Sequence, residues 1–199
     1  WRAPKGQKRK GRSPKPSQPQ SPPINFVISQ MAERDMLPGI YFIFSRRGCD
    51  RAVQELGSQS LVTLEEKKNI RTRLREFIEI NPEGVRDGIH SDALLRGIAA
   101  HHAGVLPAWK ELIEELFQQG LVKVVFATET LAAGVNMPAR STVISTLSKR
   151  TENGHRPLFG SEFLQMAGRA GRRGLDTKGY VVTVQNRFEG VKEAGQLVL

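Results

Sequence analysis

Cysteine and long hydrophobic runs are both scarce in this sequence. Its 199 residues include one cysteine, Cys49, so no disulfide can form within the chain, which favours a reducing intracellular setting. No run of eighteen apolar residues occurs, so the sequence predicts no contact with a membrane. The first residue is Trp1 rather than methionine. We therefore expect a piece of a longer polypeptide, in which the lack of a leader peptide excludes nothing.

Acidic residues are missing from the first 32 positions, since the first acid is Glu33. The formal net charge is +10, and seven Lys and Arg residues lie within positions 1–15, which leaves +3 for the rest of the chain. Residues 1–24 are rich in Pro, Ser and Gln, and we expect a disordered basic linker there and a folded domain over 25–199. Such a linker attracts nucleic acid, or it is solvated without a specific partner.

Downstream of the linker, short apolar runs alternate with helical patterns. Runs typical of buried strands occupy 40–44, 98–101, 122–127, 142–147 and 180–184. Helical patterns occupy 51–56, 64–80, 161–170 and a segment from Pro107 to a stop at Gly120. This alternation predicts an α/β fold, in which a parallel sheet carries helices on both faces and binds ligands at the carboxyl ends of its strands.

Residues 165–174 read Gln-Met-Ala-Gly-Arg-Ala-Gly-Arg-Arg-Gly. On a helix, Gln165, Arg169 and Arg172 would share one face, and the small residues between them would let another surface approach closely. Two guanidinium groups at this spacing can bind a polyphosphate and stabilise a phosphoryl group in transfer. A solvated basic helix face is the alternative, but it does not explain glycines that are costly inside a helix.

This stretch resembles motif VI of superfamily-two helicases, in the form found in Ski-two-like DExH RNA helicases. The resemblance implies a RecA-like fold of the P-loop NTPase type. It also implies that Arg169 and Arg172 are catalytic and bind the γ-phosphate of ATP held by another lobe. Gln165 matches the ATP-site residue that links the nucleotide to the nucleic-acid side.

Residues 126–138 follow a predicted strand and precede a helix start, where a threonine hydroxyl and free amides can hold a phosphate. An ordinary capped turn is the alternative. The stretch looks like motif V of the same family. The resemblance implies that Thr128 contacts the RNA backbone and that Gly134 and Asn136 belong to the ATP site, near the ribose and the interface between lobes.

Two further segments fit the same family less specifically. Residues 42–50 end a strand in Ser45 and Arg46, poised for a phosphate, and resemble motif IV, which implies RNA contacts for both. A plain strand-to-helix junction fits these residues almost as well. His101 and His102 begin a His-His-Ala-Gly element. Adjacent histidines point apart and have no evident third ligand, so we expect no metal site. The resemblance places His102 beside RNA.

Residues 147–160 contain Asn153-Gly154, a strong two-residue hairpin signal, flanked by four basic side chains. A basic hairpin at this place separates strands in the family's DNA-helicase branch. The hypothesis of a strand-separating hairpin stands here beside that of an exposed loop.

The sequence has no Gly-x-x-x-x-Gly-Lys-Ser/Thr loop and no Asp-Glu-x-His box. The resemblance therefore implies that the first RecA-like lobe of the same polypeptide holds ATP with Mg²⁺, that RNA is the other partner and that this chain alone is inactive as an ATPase. A DNA repair helicase lobe of the same branch, or a nucleic-acid or protein adaptor without its catalytic half, stays open. Segments 148–155 and 180–186 resemble plant chloroplast and cyanobacterial members, which implies a chloroplast location.

Overall fold

The protein is described here by a computed structural model, which covers residues 21–83, 88–152, 154–186 and 188–198. Within these residues the strands are β1 (Gly39–Phe42), β2 (Ile98–His101), β3 (Val124–Ala127), β4 (Ser141–Ile144), β5 (Ser148–Thr151), β6 (Gly154–Pro157) and β7 (Tyr180–Thr183). The helices are α1 (Ile24–Glu33), α2 (Arg46–Glu55), α3 (Leu64–Ile80), α4 (Gly88–Leu94), α5 (Pro107–Gln118), α6 (Thr130–Gly134), α7 (Gly160–Ala167) and α8 (Val191–Val198). Most of the expected basic linker lies outside the described residues, and α1 begins at Ile24.

Five strands form one sheet in the order β2-β3-β1-β4-β7, and every neighbouring pair in it is parallel. The last residues of the central strands are in register, with Phe42 opposite both Ala127 and Ile144, and His101 opposite Ala127. The loops that follow these strands therefore leave the sheet at one edge, where ligands of parallel sheets bind.

Helices cover both faces of this sheet, because successive side chains of a buried strand point to opposite sides. In β1, Ile40 and Phe42 pack with α3, α5, α6 and α7, whereas Tyr41 packs with α1 and α2. These two apolar layers confirm the predicted α/β architecture. No helix of the described residues combines the length and the apolar character needed to cross a bilayer.

Local sequence signals explain the helix limits near the site. Thr63 accepts a hydrogen bond from the amide of Glu66, whose carboxylate accepts one from the amide of Thr63, so α3 starts with a capping box. Helix α5 begins with Pro107 and is followed by Gly120 at φ +72°, a conformation that glycine adopts without strain. Trp109 is buried in the core and packs edge-on against Phe77 at 5.5 Å between ring centroids.

The predicted helix over 161–170 is too long, because α7 ends at Ala167 and Gly168 caps it. The chain then turns to pair with a segment far away in sequence. The amide of Ala139 donates to the carbonyl of Arg169 (2.9 Å), and the amide of Gly171 donates to the carbonyl of Ala139 (2.7 Å). The helix does not continue here, because the chain forms a short parallel bridge between Ala139 and Ala170 instead. The expectation that Gln165, Arg169 and Arg172 share a helical face is therefore wrong.

Candidate functional site

The loop after β1 places Ser45 and Arg46 at the carboxyl edge of the sheet. Ser45 is the N-cap of α2, and its hydroxyl oxygen accepts a hydrogen bond from the amide of Gly48 at 3.1 Å. Ser45 and Arg46 are both exposed at the start of the helix. A helix N-terminus with a hydroxyl and a free guanidinium group is chemically suited to a phosphate.

The loop after β2 buries His102 to 6% exposure between two internal partners. Its Nδ1 accepts the amide hydrogen of Gly104 at 3.1 Å, so Nε2 carries the ring proton and donates to Asp50 Oδ1 at 2.9 Å. Both ring nitrogens are thus occupied inside the protein. These two bonds connect the loop after β2 to α2, and the place of His102 beside RNA stays a prediction.

His101 turns away from its neighbour. Its Nε2 lies 2.7 Å from Glu114 Oε1 on α5, whereas His102 reaches α2. The two rings therefore serve opposite faces of the sheet and do not share a ligand.

The loop after β3 holds Thr128 half-buried at the same edge, with its hydroxyl 2.9 Å from the hydroxyl of Thr130. The carbonyl of Thr128 accepts from the amide of Leu131 as α6 begins (3.1 Å). Gly134, at the end of α6, and Asn136 are both exposed. Thr128 and Asn136 therefore lie at the two ends of one short helical segment.

Arg169 joins the segment after α7 to this helix. Its Nε donates to the carbonyl of Ala132 in α6 at 3.1 Å, and its Nη2 donates to the same oxygen. Together with the backbone bonds to Ala139, these contacts bind the loop over 168–171 to the segment that follows β3. Gln165 stays on α7 and is exposed.

Arg172 is held by Asp176, a residue that sequence reasoning missed. The carboxylate accepts from the Nε, the Nη2 and the backbone amide of Arg172 at 2.8, 2.8 and 2.9 Å. The side-chain hydrogen bond from Arg172 lowers the pKa of Asp176 to about 2, against burial that would raise it. The same bond raises the pKa of Arg172. An acid four residues after an arginine was the available sequence signal.

The predicted basic hairpin is present as β5 and β6, which pair antiparallel with Lys149 opposite Arg156 and Arg150 opposite His155. Asn153 lies outside the described residues. Gly154 is the first residue of β6, at φ +107°, rather than part of a turn outside the strands.

One face of the hairpin is fixed to the body of the protein by Glu162 on α7. Arg156 donates to both oxygens of this carboxylate (2.7 and 2.9 Å), and Lys149 lies 2.7 Å from both Glu162 and Glu129. The hydrogen bond from Arg156 is the main cause that lowers the pKa of Glu162 to about 2. Two of the four basic side chains of the predicted hairpin are therefore neutralised, while Arg150 and His155 are exposed on the other face.

The sequence profile of the helicase conserved C-terminal domain matches residues 48–174, which is more than half of the chain. The chain belongs to this family. The match includes the segment after β3, the hairpin and both Arg169 and Arg172, whereas Ser45 and Arg46 lie immediately before it.

Relatives identify the branch of this helicase family. The chain is 55% identical over 179 residues to the chloroplastic DExH-box ATP-dependent RNA helicase DExH15 of Arabidopsis thaliana, a match of 90% of the chain and 15% of the relative. It is 47% identical over 167 residues to the probable helicase HelY of Mycobacterium tuberculosis (79% and 18%). It is 43% identical over 160 residues to superkiller complex protein 2 of Homo sapiens (78% and 13%).

The matched part spans less than a fifth of the length of these relatives. With the family match and the parallel sheet, these likenesses make the chain a C-terminal RecA-like lobe of the Ski-two-like DExH helicases. Within this helicase lobe, the loop after α7 is joined to α6 through Ala132 and to the start of β4 through Ala139, whereas Ser45 and Thr128 follow the carboxyl ends of β1 and β3.

Proposed function

We propose that this lobe works in an ATP-dependent RNA helicase, where it completes the ATP site and grips one side of the RNA. Arg169 and Arg172 act on the γ-phosphate, and Gly134, Asn136 and Gln165 lie against the nucleotide and the other lobe. Ser45, Arg46 and Thr128 bind phosphates of the RNA backbone. His102 acts indirectly, since it holds the loop beside Arg46 in place.

The observation that supports this proposal is the set of hydrogen bonds between the loop over 168–171, which carries Arg169 and precedes Arg172, and the segment after β3. Arg169 donates to Ala132, and the backbone of 169–171 pairs with Ala139. Because these contacts make one unit of the candidate ATP and RNA residues, a shift of the phosphate-binding side chains would move the RNA-binding segment. That coupling is what a motor needs to convert hydrolysis into movement of a strand.

The residues present suit a triphosphate better than a metal ion. The Arg169 guanidinium group reaches α6, which ends at Gly134, and the guanidinium groups of Arg169 and Arg172 can both neutralise phosphate oxygens. Among the described residues, no group of three or more His, Cys, Asp or Glu side chains could hold a metal ion. In this proposal, Mg²⁺ and most of the ATP contacts come from the first RecA-like lobe of the same polypeptide, and Mg²⁺ supplies charge neutralisation at the phosphates.

The decisive experiment is ATP turnover by the polypeptide that carries both lobes. Arg172→Ala should lower turnover by about a thousandfold or more, the usual scale for an arginine finger. Arg71→Ala is the matched control, because Arg71 is an exposed arginine on α3 outside the proposed site. Turnover close to wild type in the Arg172 variant would exclude the assigned role.

Three further measurements address the remaining parts of the proposal. The 199-residue chain alone should show no turnover with or without single-stranded RNA. Competition between RNA and DNA for stimulation of the two-lobed polypeptide separates an RNA helicase from a DNA repair helicase. Import of the complete polypeptide into isolated chloroplasts tests the location suggested by the Arabidopsis relative.

A further inference from the structure

The side chain of Arg172 is not oriented by a helix. Helix α7 ends at Ala167, five residues before Arg172, and Gly171 lies between them at φ +92°. A side chain on such a turn has several accessible directions. An arginine that must meet a phosphate in one geometry loses less entropy on binding if another group has already fixed it.

Asp176 is the group that fixes it. The turn over 172–176 brings the carboxylate back to its own start, since the amides of Leu175 and Asp176 both donate to the carbonyl of Arg172 at 3.0 Å. Oδ2 then accepts from the backbone amide and Nε of Arg172, and Oδ1 accepts from Nη2. This carboxylate, which is only 3% exposed, holds the side chain of Arg172 at two points and its backbone at one.

The contact uses one edge of the guanidinium group and leaves the other. Asp176 takes the Nε–Nη2 edge in a bidentate pair. Within the part of the chain that the structure describes, Nη1 makes no hydrogen bond. The side chain of Arg172 is 22% exposed, so it is not sealed inside the protein.

A second arginine lies near the carboxylate. Arg140 Nε lies 3.8 Å from Asp176 Oδ1, and Arg140 Nη1 binds Asp35 Oδ2 at 2.7 Å. The pKa of Asp176 is lowered mainly by the hydrogen bond from Arg172, and the charge of Arg140 adds a smaller effect, so Asp176 is anionic at neutral pH. A permanent carboxylate is a stable support for a guanidinium group that must approach a highly charged phosphate.

We propose that Asp176 is a positioning residue for Arg172: its carboxylate fixes the Nε–Nη2 edge so that the Nη1 edge is presented to the γ-phosphate of ATP. This inference rests on the proposed function of Arg172. Asp176 itself touches neither ATP nor RNA in this arrangement. The opposite consequence of the same contact would be competition, in which Asp176 withholds Arg172 from phosphate, and the two differ in sign.

The test compares Arg172→Ala, Asp176→Asn, Asp176→Ala and the double variant Arg172→Ala/Asp176→Asn in the polypeptide with both lobes. Asn has the size of Asp and keeps one acceptor oxygen, so it should disturb the turn less than Ala does. We expect Asp176→Asn to lower kcat for ATP by about tenfold to a hundredfold with little change in KM, because misplacement by about 1 Å has that scale. Asp176→Ala should lower kcat further.

If Asp176 acts through Arg172, the effects of the two substitutions on turnover should not add. In the Arg172→Ala background, Asp176→Asn should cause no further loss of turnover. Asp92→Ala is the matched control, since Asp92 is an exposed acid on α4. Melting temperatures of all variants identify any loss caused by unfolding alone.

Each other outcome overturns the inference in a recognisable way. If Arg172→Ala is slow and Asp176→Asn is as fast as wild type or faster, the carboxylate does not position the finger and the proposed function survives. If Asp176→Asn slows the Arg172→Ala variant by its full factor, it acts through another group. If Arg172→Ala retains normal turnover, the proposed function itself fails and the inference fails with it.

Discussion

Two regions of this lobe use the same chemical device to hold an arginine. In the turn after α7, Asp176 accepts two side-chain hydrogen bonds and one backbone hydrogen bond from Arg172. At the base of the hairpin, Glu162 accepts two side-chain hydrogen bonds from Arg156 and one from the amide of Phe159 (2.8 Å). Both carboxylates have a pKa of about 2.

The difference lies in which side chain remains available. Asp176 holds Arg172, the arginine that we assign to the phosphate, so this carboxylate orients a functional side chain directly. Glu162 instead holds Arg156 and Lys149 on the inner face of the hairpin and leaves Arg150 and His155 exposed on the other. Asp176 therefore positions a single side chain, whereas Glu162 positions the hairpin, whose exposed side chains are different ones.

Glu162→Ala should have the largest effect on the hairpin. Loss of Glu162 frees Lys149 and Arg156, and the hairpin loses its main attachment to α7. If the hairpin separates strands, we expect unwinding by the two-lobed polypeptide to fall by about tenfold, the effect of roughly 1.4 kcal/mol in a transition state. ATP turnover should stay within about twofold, since no proposed ATP contact is touched. Asp176→Asn should instead lower ATP turnover and, because unwinding depends on hydrolysis, lower unwinding with it.

Deletion of residues 151–157 is the coarser control for the same prediction. It should also reduce unwinding and spare ATP turnover. If unwinding and turnover both survive Glu162→Ala and the deletion intact, the strand-separating hypothesis is wrong and the hairpin is an exposed loop.

The sequence predicted the five sheet strands well because parallel strands buried on both faces are continuous apolar runs. The same analysis missed α1, α4 and α8, and it expected a helix start near α6 without giving bounds for that helix. Helix α6 has only five residues, and the buried side chains of α4 number only two, so neither shows a clear helical period. The pattern at 161–170 was misleading in another way, because Gly168 ends the helix and tertiary pairing with Ala139 takes over.

The carboxylate partners of the basic side chains could not be predicted from the sequence. Arg169 and Arg172 carried a recognisable pattern, but their partners did not. Asp176 was visible at i+4 from Arg172, yet a bidentate contact across a turn requires knowledge that the helix has already ended. Glu129 and Glu162 reach Lys149 only because β5 returns beside α6 and α7. Such contacts depend on the assembled fold and have no local signature.

The two carboxylates should also make the stability of the fold depend on pH. Each has a folded-state pKa of about 2, below ordinary values of 3.8 for Asp176 and 4.5 for Glu162. A depressed pKa stabilises the folded state above the unfolded pKa, and this stability is lost as pH falls toward 2. Asp176→Asn should therefore destabilise the 199-residue chain at pH 7 by on the order of 2 kcal/mol.

The loss should be smaller for Glu162→Gln, because Glu162 is 22% exposed and Asp176 only 3%. Urea unfolding at pH 7, 4.5 and 3 measures both variants against wild type. The two differences should shrink as pH falls from 4.5 toward 2. Differences that stay constant with pH would show that the variants act through packing rather than through the charge of the carboxylate.

The smallest expected effect concerns the two faces of the hairpin and RNA. Arg150 is exposed, and within the described residues it makes no ion pair, whereas Arg156 is already neutralised by Glu162. If the outer face contacts an RNA phosphate, Arg150→Ala should weaken RNA binding and reduce the slope of log affinity against log salt by about 0.7, the value for one contact to a single strand.

Arg156→Ala is the matched control. Because Arg156 is paired with Glu162, it should neutralise no RNA phosphate, and its removal should leave the number of counterions released on binding unchanged. It should weaken binding without changing the slope, because any effect comes from a looser hairpin. Titrations of fluorescent single-stranded RNA at 50 to 200 mM salt distinguish the two variants. Equal slopes for Arg150→Ala, Arg156→Ala and wild type would mean that the outer face does not meet phosphate. The hairpin would then act as a steric element held in place by Glu162 rather than as a contact to phosphate.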